Sequence, residues 1–430
     1  MMTKRIIFLS ILTSSISFLF SCVGIPRYDK VCPFVEYGNQ IFATYDGFFL
    51  FSIKEYKGNK ERLLIKFFDK EGRQLSGNEI DYPFSFYNFL IRQRDKESVF
   101  LISQNRQNSR QNLILVIARD CQKVAEYKID AKNFETVSDI ITMDSSIFVG
   151  GWVESKNAEL QKITSQKKGF SKIVVEHDMW LEVYDTNFTS RLRLVKGDDS
   201  AEYIFSLTPS GDKSRLYYTG SIMNFEISPD NSKILKSTSF FIKEADVLRG
   251  DYESRVAEYS VSNNLIPFFI QEYDEKDLLL VLMGKKNNVD YLGIGISDKE
   301  RLNVNLNLYP VYNDYLAVYP VITNKDYVIL KLYGIKTDVM DKILIIDNKM
   351  KSGLEVKIDG INRMGLRLEG EDLDIFYSLT SKPCNESITA FTKIPLKSLI
   401  ERSKIQVKFT NGISYRDLRV AEEITLKKKD

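Results

Sequence analysis

The feature that most narrows the fold is a unit that keeps returning: a short apolar strand, a polar turn, then a strand of mixed character. Leu64-Ile65-Lys66-Phe67-Phe68 runs into Asp69-Lys70-Glu71-Gly72, and Ile114 to Ala118 into Arg119-Asp120. Trp180 to Tyr184 meets Asp185-Thr186-Asn187, and Val256 to Val261 meets Ser262-Asn263-Asn264. Tyr291 to Ile296 turns at Ser297-Asp298-Lys299, Ile343 to Ile346 at Asp347-Asn348-Lys349, and Ile388 to Phe391 near Lys393-Ile394-Pro395. Runs of four to seven residues rich in Ile, Val, Phe and Tyr, bounded by Asp, Asn, Gly and Ser, are strands joined by tight turns. Tyr45-Asp46-Gly47 between two apolar runs is the sharpest hairpin signal. Helical periodicity is confined to Glu244–Tyr259 and Leu396–Lys404.

Taking 69, 120, 185, 263, 298, 347 and 394 as landmarks, the units lie on average about 54 residues apart. Repeats of about 40–50 residues, each of four strands, are the signature of propeller blades. The expected fold is therefore all-β, a β-propeller of seven blades, with six or eight as alternatives and a pair of β-sandwich domains as the rival architecture. Ser228-Pro229-Asp230 ahead of Lys233-Ile234 resembles the Ser-Pro-Asp-Gly turn of bacterial WD40-like propeller repeats, with Asn231 in the glycine position. It is either an insertion or an eighth unit.

Ahead of the strands lies a different kind of segment. Lys4 and Arg5 precede an apolar stretch from Ile6 to Phe20, closed by Ser21-Cys22. A basic start, a short hydrophobic run and a small residue at the break make a secretory signal. The run falls short of the roughly 20 residues a spanning helix needs. Leu19-Phe20-Ser21-Cys22 resembles the lipobox of bacterial lipoproteins, and its bulky Phe20 resembles the loosened boxes of spirochaetes. That resemblance implies acylation of Cys22 and a place in the cell envelope, at the outer membrane, on either its periplasmic or its surface face. The expected division is a signal peptide (1–21), a lipidated tether (22–31), a propeller domain (32–412) and a C-terminal tail (413–430) ending in Lys427-Lys428-Lys429.

Once Lys4 and Arg5 are removed with the signal, 58 basic and 58 acidic side chains balance. A neutral chain argues against nucleic acid, whose binders concentrate basic charge. Aromatic residues at 12% and hydrophobic residues at 43% argue for a packed body rather than a disordered stalk. Besides Cys22 there are Cys32, Cys121 and Cys384. In a ring whose ends meet, Cys32 with Cys384 is the pairing to test; three reduced thiols are the alternative.

Motifs that carry chemistry are sparse. His177 is the only histidine, which excludes multi-histidine metal sites. Its neighbours Glu176 and Asp178 could make it pH-sensitive, though a solvated loop histidine explains it as well. Gly293-Ile294-Gly295 lacks the third glycine and the following helix of a dinucleotide loop. Gly284-Lys285-Lys286 lacks the framework of a P-loop, and no GxSxG elbow occurs. Glu272, Asp274, Glu275 and Asp277, and again Glu369, Glu371, Asp372 and Asp374, are oxygen-rich clusters without EF-hand spacing. Trp152 and Trp180 read as blade-core aromatics before they read as a carbohydrate platform. No cofactor, metal or catalytic residue is therefore expected.

The resulting expectation is a lipid-anchored envelope protein that binds a protein partner through propeller loops, with the membrane engaged through lipid on Cys22. Lipid-anchored propellers that assist outer-membrane protein assembly are similar in these coarse features. One alternative is a secreted glycan- or peptide-processing enzyme with a carboxylate pair at the mouth of the ring, the least that glycoside hydrolysis requires. The other is a surface adhesin.

Overall fold

A computed structural model describes residues 34–426, apart from 59, 86–88, 109–110, 131–134, 156–176, 198–199, 228–232, 261–264, 287–288, 312–314, 335–339, 362, 381–386 and 403–412. Cys22, Cys32, Cys384, the Ser228–Asn231 turn and the terminal lysines all lie outside the described residues.

Seven antiparallel sheets stand as blades in a ring. Blade 1 comprises β1 (Phe34–Ala43), β2 (Gly47–Tyr56), β3 (Lys60–Asp69) and β4 (Gln74–Asp81). Blade 2 comprises β5 (Leu90–Gln93), β6 (Ser98–Gln104), β7 (Gln111–Ala118) and β8 (Lys123–Asp130). Blade 3 holds β9 (Thr136–Met143), β10 (Ser146–Glu154), β11 (His177–Asp185) and β12 (Ser190–Lys196). Blade 4 holds β13 (Ala201–Pro209), β14 (Arg215–Ile227), β15 (Lys233–Asp246) and β16 (Asp251–Ser260). Blade 5 begins with β17 (Ile266–Glu272), β18 (Asp277–Lys286), β19 (Val289–Asp298) and β20 (Val304–Val311). Blade 6 begins with β21 (Tyr315–Thr323), β22 (Tyr327–Gly334), β23 (Lys342–Asp347) and β24 (Ser352–Ile358). Blade 7 has three strands among the described residues, β25 (Arg363–Glu369), β26 (Asp372–Thr380) and β27 (Ser387–Pro395), followed by the short helix α1 (Leu396–Glu401).

The chain then doubles back. β28 (Ile413–Arg419) adds to β24 as a fifth strand of blade 6, and β29 (Glu422–Leu426) adds to β20 as a fifth strand of blade 5. The segment set apart in the sequence as a tail is thus a strap over two outer edges, fixed by the buried Leu418 and Leu426.

The core lies between the blades. Neighbouring sheets share apolar clusters all the way round, from Phe51, Leu63 and Leu101 between blades 1 and 2 to Ile329, Ile375 and Leu399 between blades 6 and 7. The seam that closes the ring brings Ile41, Ala43, Phe48, Leu50 and Phe68 of blade 1 against Phe376 of blade 7. Phe48 stacks on Phe376 with ring centroids 5.1 Å apart. The side chains that make these clusters alternate along two-sided buried strands, which is why the strands read as near-continuous apolar runs.

Several expectations need correction. Lys393-Ile394-Pro395 is not a turn but the end of β27, paired with Asp374, Leu373 and Asp372 of β26. Glu244–Tyr259 is not helical: it spans the end of β15, a turn at 247–250 and β16, paired Lys243↔Val256. Its Glu, Ala, Leu and Arg content has helical propensity, but Gly250 at φ +68° and Asp246 accepting the Arg249 N–H fix a turn instead. For the same reason the blade 4 hairpin turns at 247–250, and residues 262–264, where the repeat pattern put the turn, lie outside the described residues. The Ser228–Asn231 stretch falls between β14 and β15 of one sheet, so it is not an eighth unit.

Candidate functional site

The first strand of each blade is innermost, and on the inner strands of blades 2 to 5 a small cavity of about 90 Å³ with a mixed polar and apolar lining opens. Arg92, Asp139, Ser206, Thr208 and Gln271 line it, with Phe269. Arg92 and Asp139 are both buried. Asp139 Oδ1 accepts from Arg92 Nε at 2.6 Å and from the Ile140 N–H at 2.9 Å, while Oδ2 accepts from the Leu207 N–H at 2.8 Å. Arg92 also donates to the Ile91 carbonyl at 3.0 Å. One carboxylate therefore ties together β5, β9 and β13, three consecutive blades. A buried ion pair of this kind holds its place only when its remaining hydrogen-bonding capacity is filled, and here neighbouring backbone fills it. Ser138 Oγ reinforces the joint by donating to the Ile204 carbonyl at 2.5 Å.

A second polar knot sits where the ring closes. Lys331 Nζ, buried on β22, donates to the Met364 carbonyl of blade 7 at 2.9 Å and approaches the Ile41 carbonyl of blade 1 at 3.4 Å. Asp341, fully buried, accepts from the Met364 N–H at 3.0 Å and from Arg363 Nη1 at 3.2 Å. The Arg363 guanidinium lies 4.1 Å from the Tyr333 ring centroid. Burial pushes the Lys331 ammonium below its ordinary range, against the pull of Asp341. Across the same seam Arg367 donates to the Tyr45 carbonyl at 3.2 Å while pairing with the buried Asp374 at 2.6 Å.

The residues singled out in the sequence separate cleanly. His177 opens β11 rather than lying in a loop, and its Nδ1 is 3.1 Å from Tyr203 Oη. Trp152 and Trp180 are buried blade aromatics; Trp152 meets Tyr203 edge-on, and Trp180 Nε1 donates to Glu182 at 3.1 Å. Gly293 and Gly295 lie inside β19. In the first acidic cluster Glu272 pairs with Lys299, and Asp274 Oδ1 accepts the Lys276 and Asp277 N–H groups in a turn. In the second, Glu369 pairs with Lys393 and Lys70, and Asp374 with Arg367. Among the described residues no group of three or more His, Cys, Asp or Glu is placed to hold a metal ion. Cys121 is a buried free thiol 3.1 Å from Ser76 Oγ, and burial pushes it up.

The charges that knit neighbouring blades together stand outside the motifs singled out above. A signal was present: Arg92 after Leu90-Ile91, Asp139 before Ile140-Ile141, and Lys331 between Leu330 and Leu332 are lone charges in apolar strands. Such residues are seldom buried without a partner.

No family model matches the chain, and comparison with curated proteins finds no match. Among solved structures the chain is similar to the acylaminoacyl peptidase of Pyrococcus horikoshii, at 12% identity and a TM-score of 0.45, over 86% of this chain and 54% of that one. It is similar to a prolyl endopeptidase at 11% identity and a TM-score of 0.43, over 86% and 48%. It is also similar to the Nup133 β-propeller domain of Vanderwaltozyma polyspora, at 10% identity and a TM-score of 0.33, over 83% of this chain and 100% of that one. The chain spans about half the length of the two peptidases. The assignment of seven blades rests on this chain's own sheets and the apolar clusters between them.

Proposed function

We propose that this is a lipid-anchored binding protein of the bacterial cell envelope, a ring that presents its surface to a protein partner. The observation that carries the reading is Leu19-Phe20-Ser21-Cys22, followed by only a short stretch before β1 begins at Phe34. Fully extended, twelve residue steps reach at most about 40 Å, so an acylated Cys22 would keep the ring beside the bilayer. Several acyl chains on one cysteine hold firmly where a single chain would not.

The chemistry of these buried carboxylates supports binding over catalysis. Asp139 spends its oxygens on Arg92, Ile140 and Leu207, and Asp374 sits against Arg367. These carboxylates act as joints between strands, whereas a general base must face its substrate's proton within hydrogen-bond reach.

The test has two parts. Metabolic labelling with a radioactive fatty acid should mark the wild-type protein in cell membranes, and Cys22→Ser should abolish the label and release the protein. Crosslinking in intact cells should recover one protein repeatedly. Label persisting on the Cys22→Ser variant would overturn the anchor, and crosslinking that recovers no protein would overturn the binding role.

A further inference from the structure

The outer edges of the blades are not alike. Blades 5 and 6 have theirs covered by β29 and β28, extended segments of this chain added antiparallel to β20 and β24. A terminal strand with an open row of backbone N–H and C=O groups is a template for such addition. Among the described residues nothing pairs with the outer edge of β12 in blade 3. That strand reads Ser190-Arg-Leu-Arg-Leu-Val-Lys196 and is exposed on both faces, with Leu192 38% and Val195 43% accessible.

Its charge sets it apart. β12 carries Arg191, Arg193 and Lys196 and no acidic residue. The outer strand β4 carries Glu79 and Asp81 with no base, β8 balances two lysines with Glu126 and Asp130, and β16 sets Asp251, Glu253 and Glu258 against Arg255. Arg193 pairs with the buried Glu135 and lies over the Trp180 ring, with Glu182 at 3.5 Å. Lys196 reaches Glu253 of blade 4 at 2.5 Å, and Arg191 comes within 3.9 Å of Asp185, both lysine and arginine remaining about half exposed.

We infer that the outer edge of blade 3 docks an extended, acidic segment of a protein partner as a fifth strand. Antiparallel addition supplies main-chain hydrogen bonds, and covering Leu192 and Val195 supplies apolar burial. The charge selects the occupant: two copies of β12 brought edge to edge would set arginine and lysine against their like, whereas carboxylates on an incoming strand would face Arg191 and Lys196. The inference rests on the reading of the ring as a protein-binding body and names which face of it binds.

The experiment uses the full lipidated chain in detergent and a fluorescent peptide, Val-Glu-Val-Glu-Val-Glu-Val, with its Lys-for-Glu counterpart as control. The acidic peptide should bind saturably and the basic one should not. The double variant Arg191→Glu, Lys196→Glu should weaken binding by at least about tenfold. Salt near 1 M, where the screening length is about 3 Å, should weaken it as well. A photo-crosslinking residue at 192 should capture the peptide, and the same residue at exposed Val124 on β8 should not. No binding of the acidic peptide, binding indifferent to the charge reversal, or equal capture at 124 and 192 would overturn the inference. None of those results touches the binding role itself, which stands or falls on recovery of a partner in intact cells.

Discussion

At Lys331 a positive charge is enclosed where blades 6, 7 and 1 meet, and its hydrogen-bond acceptors among the described residues are the backbone carbonyls of Met364 and Ile41. Burial lowers its pKa from 10.5; Asp341 opposes this and Arg363 adds to it. The unfolded chain therefore holds this proton more tightly than the folded one. The destabilising contribution is fully present below the folded pKa and is relieved as pH rises through that value toward 10.5. The stability difference between wild type and Lys331→Met should thus move in favour of wild type as pH rises over that window, measured by denaturant titration at each pH. A difference that stays flat would mean that Lys331 titrates as it does in water. Asp212 shows the opposite sign: hydrogen bonds from the Ser210 hydroxyl, then from Ser214, pull its carboxyl down to about 2. Its stabilisation is present above the ordinary 3.8 and lost as pH falls toward about 2. A carbon-detected NMR titration should find the Asp212 midpoint near about 2, and a midpoint near 3.8 would show the turn open in solution.

Among the elements, the turns explain why the fold was legible. Asp69, Asp120, Asp185, Asp246, Asp298 and Asp347 each stand at the turn between the third and fourth strands of blades 1 to 6. Each accepts backbone N–H groups a few residues on, as Asp185 Oδ1 does from Asn187 and Thr189, both at 2.9 Å. Aspartate folding back on its own backbone is turn chemistry that can be read in sequence, and it marked five of the six positions. The sixth, Asp246, was hidden because the residues around it have helical propensity, and strand pairing overrode that propensity. Strand irregularities left a fainter trace. A Cβ built on Gly220 would fall 1.7 Å from the Tyr203 carbonyl oxygen, beside the bulge where β13 shifts register between Ile204 and Ser206. Gly220→Ala should therefore cost more than about 3 kcal/mol in denaturant unfolding. A cost below about 1 kcal/mol would mean that the inner strand of blade 4 yields easily.

For the whole molecule, the ring followed from the repeat, but the way it is finished did not. Joining blade 1 to blade 7 depends on Phe48, Phe68 and Phe376, whose sequence positions carry no sign that they meet. The polar joints between blades were harder still to foresee, because Arg92, Asp139, Lys331 and Asp341 gain their meaning only once blades stand side by side. The strap was invisible for another reason: Ile413–Arg419 and Glu422–Leu426 are short, half-exposed strands whose partners lie about 60 and 120 residues earlier. Removing residues 413–430 uncovers the edges of β24 and β20 and deletes the buried Leu418 and Leu426. The truncated protein should unfold at lower temperature by calorimetry and show aggregation by light scattering, as exposed edges do. An unchanged Tm would make the strap dispensable.

That strap also sets an order of events during synthesis. Blades 1 to 4 use no strand from later than Ser260, so their sheets can pair while the rest of the chain is still being made. Blades 5 and 6 take their outermost strands from residues 413–426 and are finished only once that segment has been made. Contacts over such separations form slowly. For that interval β20 and β24 stand as open edges, and a ribosome that stalls before residue 413 leaves a ring with two of its sheets unfinished.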